Sequence, residues 1–99
     1  MLQPHLRSLT MQRREVVICN KLGLHARAAA KFVTLAAQFE SDIRLARGAR
    51  EVNGKSIMGV MMLAATQGTA LHIIAAGADE ASALERLEQL VGERFGEAE

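Results

Sequence analysis

Glycines at positions 23, 48, 54, 68 and 77 divide this chain into short segments, and each segment carries one or two short hydrophobic patterns. That punctuation allows only short strands and helices that must share a core. Glu15–Asn20 (EVVICN) is rich in β-branched residues and predicts a strand. Lys21-Leu22-Gly23 is a turn signal. From Ala26 to Phe39 apolar residues recur at 29, 32, 33, 36 and 39, the stripe of an amphipathic helix. Asp42–Ala46 alternates through Ile43 and Leu45, Gly48 turns the chain, and Arg50–Asn53 returns as a short strand before Gly54. Ser56 is a good N-cap for a helix over Ser56–Ala65 that turns Val60, Leu63 and Ala64 inward. Thr69–Ala76 reads as a strand. Asp79 caps a last helix running to about Phe95, with Leu84, Leu87, Leu90, Val91 and Phe95 inward. The order β-α-β-β-α-β-α predicts an α+β domain with helices on one face of an open antiparallel sheet. Periodicity alone fits a ferredoxin-like sheet with an added helix equally well.

Ninety-nine residues make one small domain with room for a single core. Hydrophobic residues make up 49% of the chain, but there are three Phe and no Trp or Tyr. Leu, Ile, Val, Met and Ala must therefore fill the core, and no aromatic platform exists for stacking bases. A single cysteine, Cys19, excludes an internal disulfide and a CxxC or multi-cysteine metal site, which suits a reducing cytoplasm. No apolar run approaches a membrane span. Residues 1–11 are expected to be a leader outside the domain at 12–99, or a misplaced start preceding Met11. Charge is divided unevenly. Residues 1–50 carry nine Lys or Arg against three acids, and residues 51–99 carry three against eight. The basic half could draw in an acidic protein, a phosphate or nucleic acid, or be neutralised by the other half in the fold.

Of the three histidines, His5 lies in the leader and His72 in mid-strand. His25 differs because it sits where a glycine turn meets a helix start. Backbone N–H groups there lack helical partners and the helix dipole presents partial positive charge, a setting that accommodates phosphate. Arg27 can add a charge-assisted bond to phosphate oxygens. A neutral imidazole in that position is a nucleophile toward a phosphoryl donor. No second ligand occurs at metal-binding spacing, so neither a metal nor another cofactor is expected.

Asn20-Lys21-Leu22-Gly23-Leu24-His25-Ala26-Arg27, followed by Ala29, resembles the active-site signature of the HPr family. Gly54-Lys55-Ser56-Ile57-Met58-Gly59-Val60-Met61 is similar to the family's second signature, around its regulatory serine. The resemblance covers about residues 12–95. It implies the HPr open-faced β-sandwich with strand order 1-4-2-3, and a cytoplasmic phosphocarrier that is not an enzyme in its own right. Enzyme I, charged by phosphoenolpyruvate, would phosphorylate His25 on Nδ1, and His25 would pass the group to a histidine of a IIA-type protein. Arg27 would assist, with Asn20 and Ala26 in support. Sugar-transport members commonly carry Pro where this chain has Ala28. The stretch GLHARAAAKFV resembles instead the nitrogen-related branch, NPr.

The helix from Ser56 is apolar nearly all round, so Ile57, Met58 and Met61 are expected to form an adaptable docking patch. Ser56 is accounted for as a cap. By resemblance it is also a site of regulatory phosphorylation, which would require a serine kinase as a further partner. The alternatives are a sugar-transport HPr, a regulator that binds without transferring phosphate, and a small RNA-binding module. The shortage of aromatics and the net charge of +1 argue against the last.

Overall fold

Four strands form one antiparallel sheet in the order β1-β4-β2-β3. The computed structural model describes residues 11–99, and residues 1–10 of the expected leader, His5 among them, lie outside the described residues. The elements are β1 (Gln12–Val17), α1 (Ala26–Ala36), β2 (Asp42–Arg47), β3 (Arg50–Asn53), α2 (Ile57–Met61), β4 (Ala70–Ala76) and α3 (Glu80–Gly92). A 3-10 turn over Arg94–Gly96 follows. The three helices cover one face, so the open-faced sandwich is the observed architecture. Val16 pairs with Leu71, and Leu45 with Ile73, placing both pairs on the covered side. On the other face Glu15 lies opposite His72, which is half-buried there. Between the layers, Phe32, Phe95, Ile43, Leu63, Leu84 and Leu87 are fully buried. Burying each such side chain stabilises the fold by about 1.5–3 kcal/mol.

Several boundaries move from their expected places, each for a physical reason. β1 begins at Gln12 and ends at Val17, earlier than the apolar pattern suggests. Its polar start pairs with β4 through Arg13 and Arg14, and the Arg14 guanidinium meets Glu88 of α3 at 2.7 Å. α1 stops at Ala36; Phe39 is buried beyond it in a turn, and Val33 is only partly buried. The helix expected over Ser56–Ala65 is five residues long. Ala64 does not face the core: it is exposed with φ 51°, and Ala65 is buried instead. Arg47 satisfies the freed carbonyls of Leu63 and Ala64 at 2.9 and 3.0 Å. α3 ends at Gly92, and Phe95 reaches the core from the left-handed region at φ 55°. Strain of about 1–2 kcal/mol per such residue is offset by burial of the ring.

Asp79 precedes α3 as expected, but its carboxylate does not cap that helix. It accepts instead from the backbone N–H groups of Glu40 and Ser41, each at 3.0 Å, and from the Ser41 hydroxyl. This clamp fixes the entry to β2. The Ser41 hydroxyl, and then the Glu40 amide, hold the Asp79 carboxyl below its ordinary value of 3.8. A carboxylate depressed in the folded state stabilises it above the unfolded value, and that contribution is lost as pH falls through the folded value. Asp79→Asn is therefore expected to lower the melting temperature by a constant margin between about pH 5 and 8, and the margin should close below about pH 4. Melting curves of both proteins across this range check it.

Candidate functional site

The loop between β1 and α1 is held by backbone geometry before any side chain acts. Gly23 has φ +70°, and a Cβ there would sit 2.5 Å from the Ala65 carbonyl oxygen and 2.9 Å from Thr66 Cα. Leu24 N–H donates to that same carbonyl at 2.9 Å. The early end of α2 thus presents the Ala65 carbonyl to the loop. Asn20 is fully buried, and its Nδ2 donates to the Gly23 carbonyl at 2.8 Å. His25 follows as the N-cap of α1 in an extended conformation, with its own carbonyl accepting from Ala29 N–H at 2.8 Å.

At that helix start the N–H groups of Ala26, Arg27 and Ala28 have no hydrogen-bond partner among the described residues. Arg27 is exposed and likewise makes no ion pair among them. Asn20 reaches His25 through Glu97, and Arg27 lines the same cleft as His25. Ala26 is exposed beside them, supplying a backbone amide and little side chain. Ala28 is buried in the core, so it touches the surface near His25 only through packing. A cleft of about 670 Å³ opens here, lined by Lys21, Leu22, His25, Arg27, Lys31 and Glu97 among others. In a larger cleft of about 960 Å³, bordered by Ser41, Lys55 and Glu80, the side chains of those three residues are tied down. Lys55 donates to the Phe39 carbonyl at 2.7 Å, and Glu80 accepts from Gly77 N–H at 2.9 Å.

Sequence reasoning missed Glu97. Its Oε2 lies 2.5 Å from His25 Nε2, and its Oε1 accepts from Asn20 Nδ2 at 2.9 Å. The Asn20 bond, then the His25 bond, hold its carboxyl below the ordinary range, with the positive field of Arg27 adding to them. No motif marks Glu97, because it reaches His25 only through the left-handed turn at Arg94 and Phe95. Lys31 Nζ donates to the Phe95 carbonyl at 2.8 Å and secures that turn against α1. Asn20 Oδ1 is buried without a partner among the described residues. Such an orphan costs about 1–3 kcal/mol.

α2 packs beside α1. Ser56 caps it, its Oγ accepting from Gly59 N–H at 3.0 Å. Ile57, Met58 and Met61 are exposed, Met58 by 71%; Met62 joins them, and Leu22 in the His25 loop is 67% exposed. Among the described residues, no group of three His, Cys, Asp or Glu could hold a metal, and no helix is long and apolar enough to cross a membrane.

The family model described as the PTS HPr component phosphorylation site matches residues 12–93. The phosphocarrier protein HPr of Neisseria meningitidis is 49% identical over 89 residues, 90% of this chain and 100% of that protein. The phosphocarrier protein NPr of Shewanella violacea is 39% identical over 90 residues, 91% of this chain and 99% of that one. A crystal structure of HPr from Thermoanaerobacter tengcongensis superposes with a TM-score of 0.85 at 42% identity, covering 89% of this chain and 99% of that one. The chain belongs to the HPr family of phosphocarriers of the phosphotransferase system.

Gly23→Ala tests whether the loop geometry is fixed by backbone contact. The added methyl meets the Ala65 carbonyl and takes a disfavoured φ, so stability should fall by about 1–3 kcal/mol. Chemical denaturation checks the loss, and amide shifts of residues 20–28 should report a displaced loop.

Proposed function

We propose that His25 is the phosphoryl-bearing residue, charged by phosphorylated enzyme I at the expense of phosphoenolpyruvate and discharged to a histidine of a IIA-type protein. One observation carries this reading: His25 stands at the N-cap of α1 with free amides and Arg27 beside it, and its Nε2 is already engaged by Glu97. Nδ1 is then the ring nitrogen left to attack phosphorus. The dianion formed there would meet the N–H groups of the first helical turn and the Arg27 guanidinium. The N–P bond stays reactive because imidazole is a good leaving group, so the phosphoryl group can move on to the next histidine. The family setting and the single free cysteine suit work in the cytoplasm.

Ile57, Met58 and Met61, with Met62 and Leu22, supply the docking surface. Exposed thioethers adapt to more than one partner, which a relay protein requires. Ser56 fits regulation by a serine kinase, because a phosphate on its Oγ would place negative charge inside that surface. On branch, the reading is a nitrogen-type IIA acceptor, supported by the Ala28-containing helix start that resembles NPr. A sugar-transport role is the second reading, supported by the higher identity to proteins named HPr, 49% against 39%.

Incubation with phosphoenolpyruvate and enzyme I should place an acid-labile, alkali-stable label on wild-type protein. His25→Ala should abolish it and His72→Ala should not. Arg27→Ala should keep the label but slow its transfer roughly 10- to 100-fold, the equivalent of losing one bond to a charged group at about 1.5–3 kcal/mol. Ser56→Asp should impair charging by enzyme I while leaving the fold intact, since Asp also caps helices. A label on Ser56 in this assay would overturn the assignment.

With the charged protein offered sugar-type and nitrogen-type IIA acceptors at equal concentration, transfer to the nitrogen type should be faster. About 1.4 kcal/mol of docking preference gives a tenfold ratio. Faster transfer to the sugar acceptor would remove the branch reading and leave the carrier standing.

A further inference from the structure

Glu97 lies outside both motifs that carry the family signature, yet among the described residues it is the carboxylate that touches His25. Its placement is built rather than incidental. The Asn20 amide gives one N–H to the Gly23 carbonyl and the other to Glu97 Oε1. A half-turn of that amide would set its oxygen against two acceptors, so the orientation is locked even though Oδ1 is left unpaired. The His25 side chain is 29% exposed and that of Glu97 14%, so the pair is shielded at Nε2 while the ring stays reachable.

We infer that Glu97 is a positioning residue for phosphoryl transfer: its carboxylate holds the proton of His25 on Nε2, so that the lone pair stands on Nδ1. This rests on the carrier reading of His25. In the transfer, the Nδ1 lone pair forms the new N–P bond as the donor's N–P bond breaks, and the donor imidazole keeps that electron pair. His25 retains its Nε2 proton, so the phosphorylated ring becomes cationic on the side facing the Glu97 carboxylate. The phosphoryl dianion goes to the opposite edge of the ring, toward Arg27 and the α1 amides. Discharge to the next histidine reverses these steps. Arg27, Lys21 and Lys31 share the cleft and temper the negative charge of Glu97 toward an incoming phosphoryl group. A carboxylate that fixes the tautomer of a nucleophilic histidine and answers its developing charge is a recurrent arrangement in group transfer.

The same contact has an opposite reading. The chain beyond Glu97 is tied down by Lys21 N–H donating to the Glu99 carbonyl at 2.5 Å, so the segment could act as a shield that must leave before transfer. The two readings predict opposite signs. Glu97→Ala and Glu97→Gln should be made in the full chain, with Gln keeping the bulk of the side chain should Ala disturb the fold. First, NMR ring-nitrogen shifts of unphosphorylated His25, in its neutral form, should show one tautomer protonated on Nε2 in wild type and a mixture in Glu97→Ala. This readout needs no donor. Second, single-turnover charging by phosphorylated enzyme I should slow about tenfold in Glu97→Ala, with half-saturation by the donor unchanged. Glu97→Gln should fall between, because its amide can accept from Nε2–H only by turning its own N–H groups toward Asn20. Unchanged tautomer populations in both variants, or faster charging, would overturn the inference. Wild-type protein that is not charged on His25 would instead remove the carrier reading, while the tautomer comparison still decides the role of Glu97.

Discussion

The hydrogen bond from Leu24 N–H to the Ala65 carbonyl ties the His25 motif to the segment that follows α2, and the site depends on it. It forms because α2 stops after five residues and because Gly23 lets the loop backbone approach where a side chain cannot fit. Held this way, Leu24 is buried and the next residue falls at the N-cap of α1. The position of His25 is therefore set by main-chain contacts between segments some forty residues apart, in a part of the core that side-chain packing then makes rigid. Asn20 and Glu97 add a second clamp, reaching the imidazole from the other end of the chain.

Much of the architecture was legible because periodicity reports burial. Ile43 and Leu45, Leu71 and Ile73, and Leu84, Leu87 and Val91 fell on the faces expected of them. The helix at Ser56 was over-extended because SIMGVMMLAA is apolar throughout, so its composition gave no stop signal. Beyond its end at Met61, Arg47 of β2 captures the Leu63 and Ala64 carbonyls from across the fold. The polar start of β1 was missed for a similar reason, since its edge strand is supported by the Arg14–Glu88 contact rather than by alternation. For the site, His25, Arg27 and Asn20 stood within eight consecutive residues and could be found together. Glu97 could not, because its approach requires left-handed backbone at Arg94 and Phe95, which no local pattern announces.

The uneven division of charge along the chain resolves in three dimensions. Arg14 meets Glu88, Lys21 meets Glu99 and His25 meets Glu97, so the acidic second half folds onto the basic first half. The exposed pairs contribute about 0–1 kcal/mol each, so their effect is on the local field more than on stability. Arg27 escapes this pairing among the described residues and faces the cleft, beside the apolar rim formed by Leu22. A partner bearing a phosphohistidine within an apolar surface would meet charge and contact area in the same place.

If His25 carries the phosphoryl group as proposed, phosphorus bonds Nδ1 while Nε2, engaged by Glu97, keeps its proton. Nitrogen–phosphorus coupling, measured by NMR on the phosphorylated protein labelled in its histidine rings, reads this directly. A one-bond coupling between phosphorus and Nδ1 of His25, with Nε2 still protonated, is the expected result. Coupling to Nε2, or to a ring nitrogen of another histidine, would contradict it.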